Sequence, residues 1–134
     1  MAIFLSGSEK ATIEYAKEYA AKLKGGDVVI LDGEMGVGKT VFAKGVALGL
    51  GIEDEILSPT YAYMNDYSGK LYHYDCYRLK SGAQAVELGL TDYFDGDGVC
   101  LIEWAENIKD VLPKNCKRVT IKRITAANRE IISE

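Results

Sequence analysis

Residues 33 to 40 read GEMGVGKT, set between the apolar run VVIL at 28 to 31 and the stretch VFAKGVALGL. Gly33, Gly38, Lys39 and Thr40 complete the pattern GxxxxGK[ST], whose chemistry is phosphate binding. Gly36 and Gly38 admit positive φ and leave room for a phosphate beside the backbone. Successive N–H groups and the N-terminus of the following helix then turn partial positive charge toward an anion. Lys39 adds a full charge near β and γ phosphates, and the Thr40 hydroxyl can ligate Mg²⁺. A plain strand-to-helix turn is the alternative. The stretch nevertheless follows an apolar strand and opens a helix, which is the setting a phosphate loop requires.

Such a loop works with an acidic residue at the end of a neighbouring strand, which holds the metal or its water. Two residues qualify: Asp75 ends LYHYD and Glu103 ends VCLIE. Strand C-terminal ends are where α/β sheets bind ligands, so both are retained as site residues. No NKxD is present, which argues against a guanine-specific site, and DGDG at Asp95 to Gly98 matches DxxG only as a short turn. ATP is the expected nucleotide. A small-molecule kinase would also need basic residues to clamp an acceptor, and the arginines are only Arg78, Arg118, Arg123 and Arg129.

Elements must carry these residues to one place. Ser6 and Glu9 have capping-box spacing, and Ile13, Ala16, Ala20 and Leu23 recur at helical intervals, so a helix is expected from about residue 8 to Leu23. Val28 to Leu31 reads as a strand buried on both faces. Lys39 to Leu50 reads as a helix stopped by Gly51, and Gly45 and Gly49 within it predict close packing against the sheet. TYAYMNDY and LYHYDCY predict a β-hairpin, and their aromatics are either a partner surface or cross-strand packing. Ala83 to Leu88 and Ala105 to Leu112 read as helical, VCLI as a buried strand, and KRVTIKRI with EIIS as a terminal hairpin. The expected fold is a P-loop NTPase-like three-layer α/β domain with a mixed, partly parallel sheet and a C-terminal β-hairpin.

Composition bounds the rest. At 134 residues with 48% hydrophobic content, the chain can bury one core and is expected to form a single domain, residues 1-134. A net charge of -4 argues against unaided binding to nucleic acid, which runs on clustered Lys and Arg. No stretch is long and apolar enough to span a bilayer and no basic segment precedes the N-terminal apolar one, so a cytoplasmic location without membrane contact is expected. Cys76, Cys100 and Cys116 fit no zinc or CxxC spacing and read as reduced thiols, the first two as buried hydrophobes. His73 reads as packed or hydrogen-bonded rather than as a metal ligand.

Taken in order, GEMGVGKT, SPTY at Ser58 to Tyr61, YHYDCYR at Tyr72 to Arg78, LGLTDYF at Leu88 to Phe94 and CLIEW at Cys100 to Trp104 resemble the bacterial TsaE (YjeE) family over nearly the whole chain. The resemblance implies an Mg-dependent P-loop ATPase, weak without partners. Such a protein is required for N6-threonylcarbamoyladenosine formation at position 37 of tRNAs reading codons that begin with A. It would act on the TsaB-TsaD complex and meet tRNA only through it. Residue by residue, the resemblance implies that Met35, Gly36, Val37, Gly38, Lys39 and Thr40 surround the phosphates. Thr40 and Glu103 are implied as Mg²⁺ ligands, and Asp75 takes the Walker B position. Ser58 and Thr60 are implied to form a switch-like loop, while Glu9 and Arg129 match positions near the nucleotide in relatives. Trp104 is either a packed aromatic or a switch. Ala105 stands where many members have Pro, and Met35 and Val37 replace commoner Leu and Ala. Two other classes fit the loop: a small P-loop kinase, and a nucleotide-gated interaction module without significant hydrolysis.

Overall fold

A computed structural model describes residues 1–57, 59 and 62–134. In chain order the elements are β1 (Ala2–Ser6), α1 (Glu9–Ala20), β2 (Val28–Asp32), α2 (Lys39–Gly49), β3 (Met64–Tyr67) and β4 (Leu71–Asp75). They are followed by α3 (Gly82–Glu87), a 3-10 turn (Leu90–Tyr93), β5 (Val99–Glu103), a 3-10 segment (Ala105–Val111), β6 (Lys117–Arg123) and β7 (Arg129–Ser133). The strands form one seven-stranded sheet in the order β1-β7-β6-β2-β5-β4-β3. Its centre is parallel, β2 pairing with both β5 and β6 and β4 with β5. Both margins are antiparallel: β1 with β7, β7 with β6, and β3 with β4. The sheet is therefore mixed and closes with a C-terminal hairpin.

Residues alternate across a strand, so Val29 and Leu31 face one side of β2 while Val28 and Ile30 face the other. The first side packs on Ala16 and Ala20 of α1 and Phe42 and Val46 of α2, together with Leu101 and Ile131. The second packs on Ala85 of α3, Leu90 and Ile108, together with Tyr74, Cys100 and Ile102. All of VVIL is buried, as expected for a strand covered on both faces. This is a three-layer arrangement, helices lying on either side of the sheet.

Several expectations are corrected by the packing. The first helix is capped by Ser8, whose side chain accepts from the Ala11 N–H, and it ends at Ala20. Ser6 belongs to β1, and its Oγ bonds the Ser8 carbonyl and Thr12 Oγ1. β1 carries no sequence signal because it is a short edge strand with Ile3 and Leu5 exposed. Gly45 and Gly49 pack against α1 and not the sheet: a Cβ on Gly45 would lie 2.5 Å from Ala16 Cβ, and one on Gly49 would lie 2.7 Å from Ala20 Cβ. The segment Ala105–Val111 is 3-10 rather than α, broken at Ile108. The hairpin aromatics are mostly interior. Tyr67 and Tyr74 are buried, Tyr74 donating to the Leu90 carbonyl, and only Tyr77 is exposed among those described from Tyr63 to Tyr77. No helix among the described residues is long and apolar enough to cross a membrane.

Candidate functional site

β2 delivers the glycine-rich loop to the C-terminal edge of the parallel strands, where α2 begins. Gly36 and Gly38 have φ of 77 and 111, in the left-handed region, and nothing stands within 4 Å of where their Cβ atoms would be. That open backbone is what an anion needs for close approach. Gly38 is the N-cap of α2 and offers no capping side chain, so the first-turn amides of α2 lack the usual cap. Gly33 serves packing instead. A Cβ there would meet Val37 Cγ1 at 2.7 Å and the Ile121 carbonyl at 2.9 Å.

Two arginines from the terminal hairpin brace the loop. Arg123 donates to the Gly36 carbonyl at 3.0 Å, and Arg129 Nε donates to the Val37 carbonyl at 2.8 Å. The Arg129 guanidinium also bonds the carbonyls of Thr125, Ala126 and Asn128. In a trans peptide the N–H points opposite to its carbonyl. Anchoring Val37 O therefore turns the Gly38 N–H away from the arginine. Arg129 thus holds the loop's peptide planes.

Across the loop, the carboxylates expected from sequence stand side by side. β4 and β5 are parallel neighbours in which Asp75 lies opposite Glu103. Asp75 Oδ1 accepts the Tyr77 N–H at 3.0 Å. Glu103 is 8% exposed and its two oxygens are divided: Oε1 lies 3.7 Å from Lys39 Nζ, and Oε2 lies 2.6 Å from His73 Nε2. Lys39 is also 8% exposed, and its ammonium sits 5.0 Å from the centroid of the Trp104 ring. Trp104 adopts φ 59 and packs on Tyr77 with ring centroids 4.9 Å apart. Burial pushes the neighbouring Cys76 thiol up to about 12, the Asp75 and Glu103 charges adding to the effect.

The loop, the two carboxylates, Trp104 and Arg129 line one cavity of about 710 Å³, within the range of small-molecule sites, about 300–1,000 Å³. Its walls include Glu9, Met35, Gly36, Val37, Gly38, Lys39 and Thr40, together with Asp75, Glu103, Trp104 and Arg129. Gly33 lies outside that lining, and Ser58 and Thr60 fall outside the described residues. Trp104 also borders a second cleft of about 620 Å³ beside β6. Sequence reasoning missed Ser8, Thr12 and the Ala126–Ala127 turn as wall residues, and Arg123 as a support of the loop. It also left His73 unconnected to the site, although His73 stands two residues before Asp75 and so on the same face of β4.

The donor set suits a hard cation. Thr40, Asp75 and Glu103 offer oxygen, which is the preference of Mg²⁺. No group of three or more His, Cys, Asp and Glu able to hold a metal occurs among the described residues. A cation here would share its ligands with substrate phosphates, which is how Mg²⁺ is commonly bound.

The family model of threonylcarbamoyl adenosine biosynthesis protein TsaE matches residues 6–131. The tRNA threonylcarbamoyladenosine biosynthesis protein TsaE of Bacillus subtilis (strain 168) is 45% identical over 119 residues, 87% of this chain and 74% of that protein. Its namesake from Treponema pallidum (strain Nichols) is 40% identical over 129 residues, covering 95% and 96% of the two chains. Among solved structures, that of Bacillus subtilis YdiB superposes with a TM-score of 0.82 at 39% identity, over 98% of this chain and 83% of that one. With its mixed sheet, its phosphate-type loop and these matches along almost its whole length, the chain belongs to the TsaE family of threonylcarbamoyl adenosine biosynthesis proteins.

Proposed function

We propose that this protein is the ATP-binding and ATP-hydrolysing subunit required for N6-threonylcarbamoyladenosine formation at position 37 of tRNAs reading A-starting codons, acting on the TsaB-TsaD complex. Family membership supports the pathway. The observation that carries the nucleotide is the convergence of the open Gly36–Gly38 backbone, Lys39, Asp75 and Glu103 on one cavity. A loop of this kind grips phosphate through backbone N–H groups and the helix N-terminus, and Lys39 supplies the full positive charge.

Thr40 and Glu103 are the residues that would hold Mg²⁺, and Asp75, opposite Glu103, is the carboxylate that would orient water. Bound there, Mg²⁺ would neutralise charge on the phosphate oxygens. The remaining work belongs to the chain. Lys39 must leave Glu103 to reach a phosphate, and Arg129 and Arg123 keep the loop amides aimed while it does so. In this reading hydrolysis is slow until the partner complex is engaged. The acidic balance agrees with a subunit that meets tRNA through its partners.

Calorimetry of ATP binding to wild type and Lys39→Ala tests the site. The reading expects Lys39→Ala to bind at least about 10-fold more weakly, the loss of one charge-assisted contact, and to fail in supporting the tRNA modification. Wild-type affinity with full modification would end it.

A further inference from the structure

We propose that His73 is a positioning residue for Glu103, an inference that rests on Glu103 being the cation ligand of the proposed site. His73 is fully buried in β4, on the face that carries Leu71 and Asp75. Its register partner in β5 is Leu101, and Glu103 lies two residues further along the same face. From there His73 Nε2 reaches Glu103 Oε2 at 2.6 Å. Nδ1 of the same ring is buried and has no hydrogen-bond partner among the described residues.

The carboxylate opposite Nε2 fixes the donor. An ionised carboxylate can only accept, so Nε2 carries a proton and donates it to Glu103. Packing alone does not account for a histidine here. Leucine would fill similar space without a buried unpaired nitrogen, which costs stability. What the histidine adds is a donor that ties down Oε2 and leaves Oε1 toward Lys39 and the cavity. Carboxylates that bind metals are themselves held by outer hydrogen bonds, and loss of such a partner typically weakens metal affinity about 10-fold to 100-fold. Without His73 the Glu103 carboxylate is free to rotate. A cation would then lose an oriented ligand.

The test reads metal binding directly. Electron paramagnetic resonance would follow Mn²⁺ binding to the protein saturated with a non-hydrolysable ATP analogue, with thermal unfolding as the fold control. His73→Leu should weaken Mn²⁺ binding about 10-fold or more, while metal-free affinity for the analogue stays near wild type. His73→Gln, whose amide can place an N–H near the position of Nε2, should restore most of the loss. His73→Asn, polar but shorter, should not. The Gln and Asn pair carries the test if the Leu variant fails to fold. In a Glu103→Gln background the His73 substitutions should have little further effect, because the anionic ligand that His73 is meant to position is then already lost. Unchanged Mn²⁺ affinity in His73→Leu, equal failure of Gln and Asn, or a full His73 effect in the Glu103→Gln background would each overturn the role. If wild type with bound analogue holds no Mn²⁺, the site reading itself falls, which is a different result from any of these.

Discussion

Lys39 Nζ and Glu103 Oε1 lie 3.7 Å apart, so the cation proposed for phosphate and the carboxylate proposed for a metal occupy one another. The Trp104 ring, 5.0 Å from the same ammonium, forms the third side of this arrangement. A nearly buried ion pair is costly to strip of one partner and inexpensive to exchange for equivalent ones. Phosphate for Lys39 and a divalent cation for Glu103 would be such an exchange.

Nucleotide binding is therefore expected to draw Lys39 off the Trp104 face. Trp104 is the single tryptophan of the chain, so its fluorescence reports this movement without a label. Emission should shift on saturation with ATP in wild type, and Lys39→Met should show an altered baseline and a much smaller change. An identical response in both proteins would remove Lys39 from the event.

Arg129 is expected to act on affinity through the loop it braces. Arg129→Met should weaken nucleotide binding about 10-fold, close to the worth of one charge-assisted hydrogen bond. Arg129→Lys should recover only part, since one ammonium cannot span the Val37, Thr125 and Ala126 carbonyls that the guanidinium reaches. Full recovery by Lys, measured by calorimetry, would mean that charge alone matters and that the brace does not.

The contact between α1 and α2 depends on missing side chains. Gly45→Ala gains up to about 1 kcal/mol of helix propensity but sets a methyl 2.6 Å from the Ile13 carbonyl, an overpacking that costs about 1–3 kcal/mol. The denaturation midpoint should fall with unchanged m-value. A midpoint that holds or rises would show that the helices can part without loss.

Alkaline stability follows from the buried thiols. Burial pushes Cys76 up to about 12 and Cys100 up to about 11, from an ordinary 9.0. Between those values the native state keeps protons that the unfolded chain has released, so stability falls as pH rises from 9 toward 11 and is unaffected by these groups below 9. Each such group contributes a slope of at most about 1.4 kcal/mol per pH unit. Urea midpoints across this window should decline, and Cys100→Ala should make the decline shallower. A flat profile would mean that the thiols titrate freely.

The legibility of this chain in its sequence was uneven for physical reasons. That GEMGVGKT, Asp75 and Glu103 meet on one cavity could be read, because a loop of the GxxxxGK[ST] pattern has residue types at fixed short spacing, and strand ends announce themselves by their apolar runs. β1 could not be read, because an edge strand pairing with β7 at the far end of the chain shows neither alternation nor full burial. The glycines of α2 announced a close approach but not its partner, since α1 and the sheet are equally available to a helix before tertiary packing is known. Arg123 and Arg129 lie in the last hairpin, and nothing local indicates that they reach the Gly36 and Val37 carbonyls. His73 was within reach of sequence reasoning: strand periodicity sets it on the face of Asp75, and only its diagonal reach to Glu103 needed the register. The proposed switch residues Ser58 and Thr60 lie outside the described residues.

ATP turnover that depends on partners can be followed as phosphate release in three mixtures: the purified protein alone, with TsaB-TsaD, and with TsaB-TsaD and tRNA. Slow Mg²⁺-dependent release is expected from the protein alone, with clear stimulation by TsaB-TsaD and loss of both in Lys39→Ala. Absence of hydrolysis in every mixture, or transfer of phosphate to a small acceptor without any partner, would contradict that expectation.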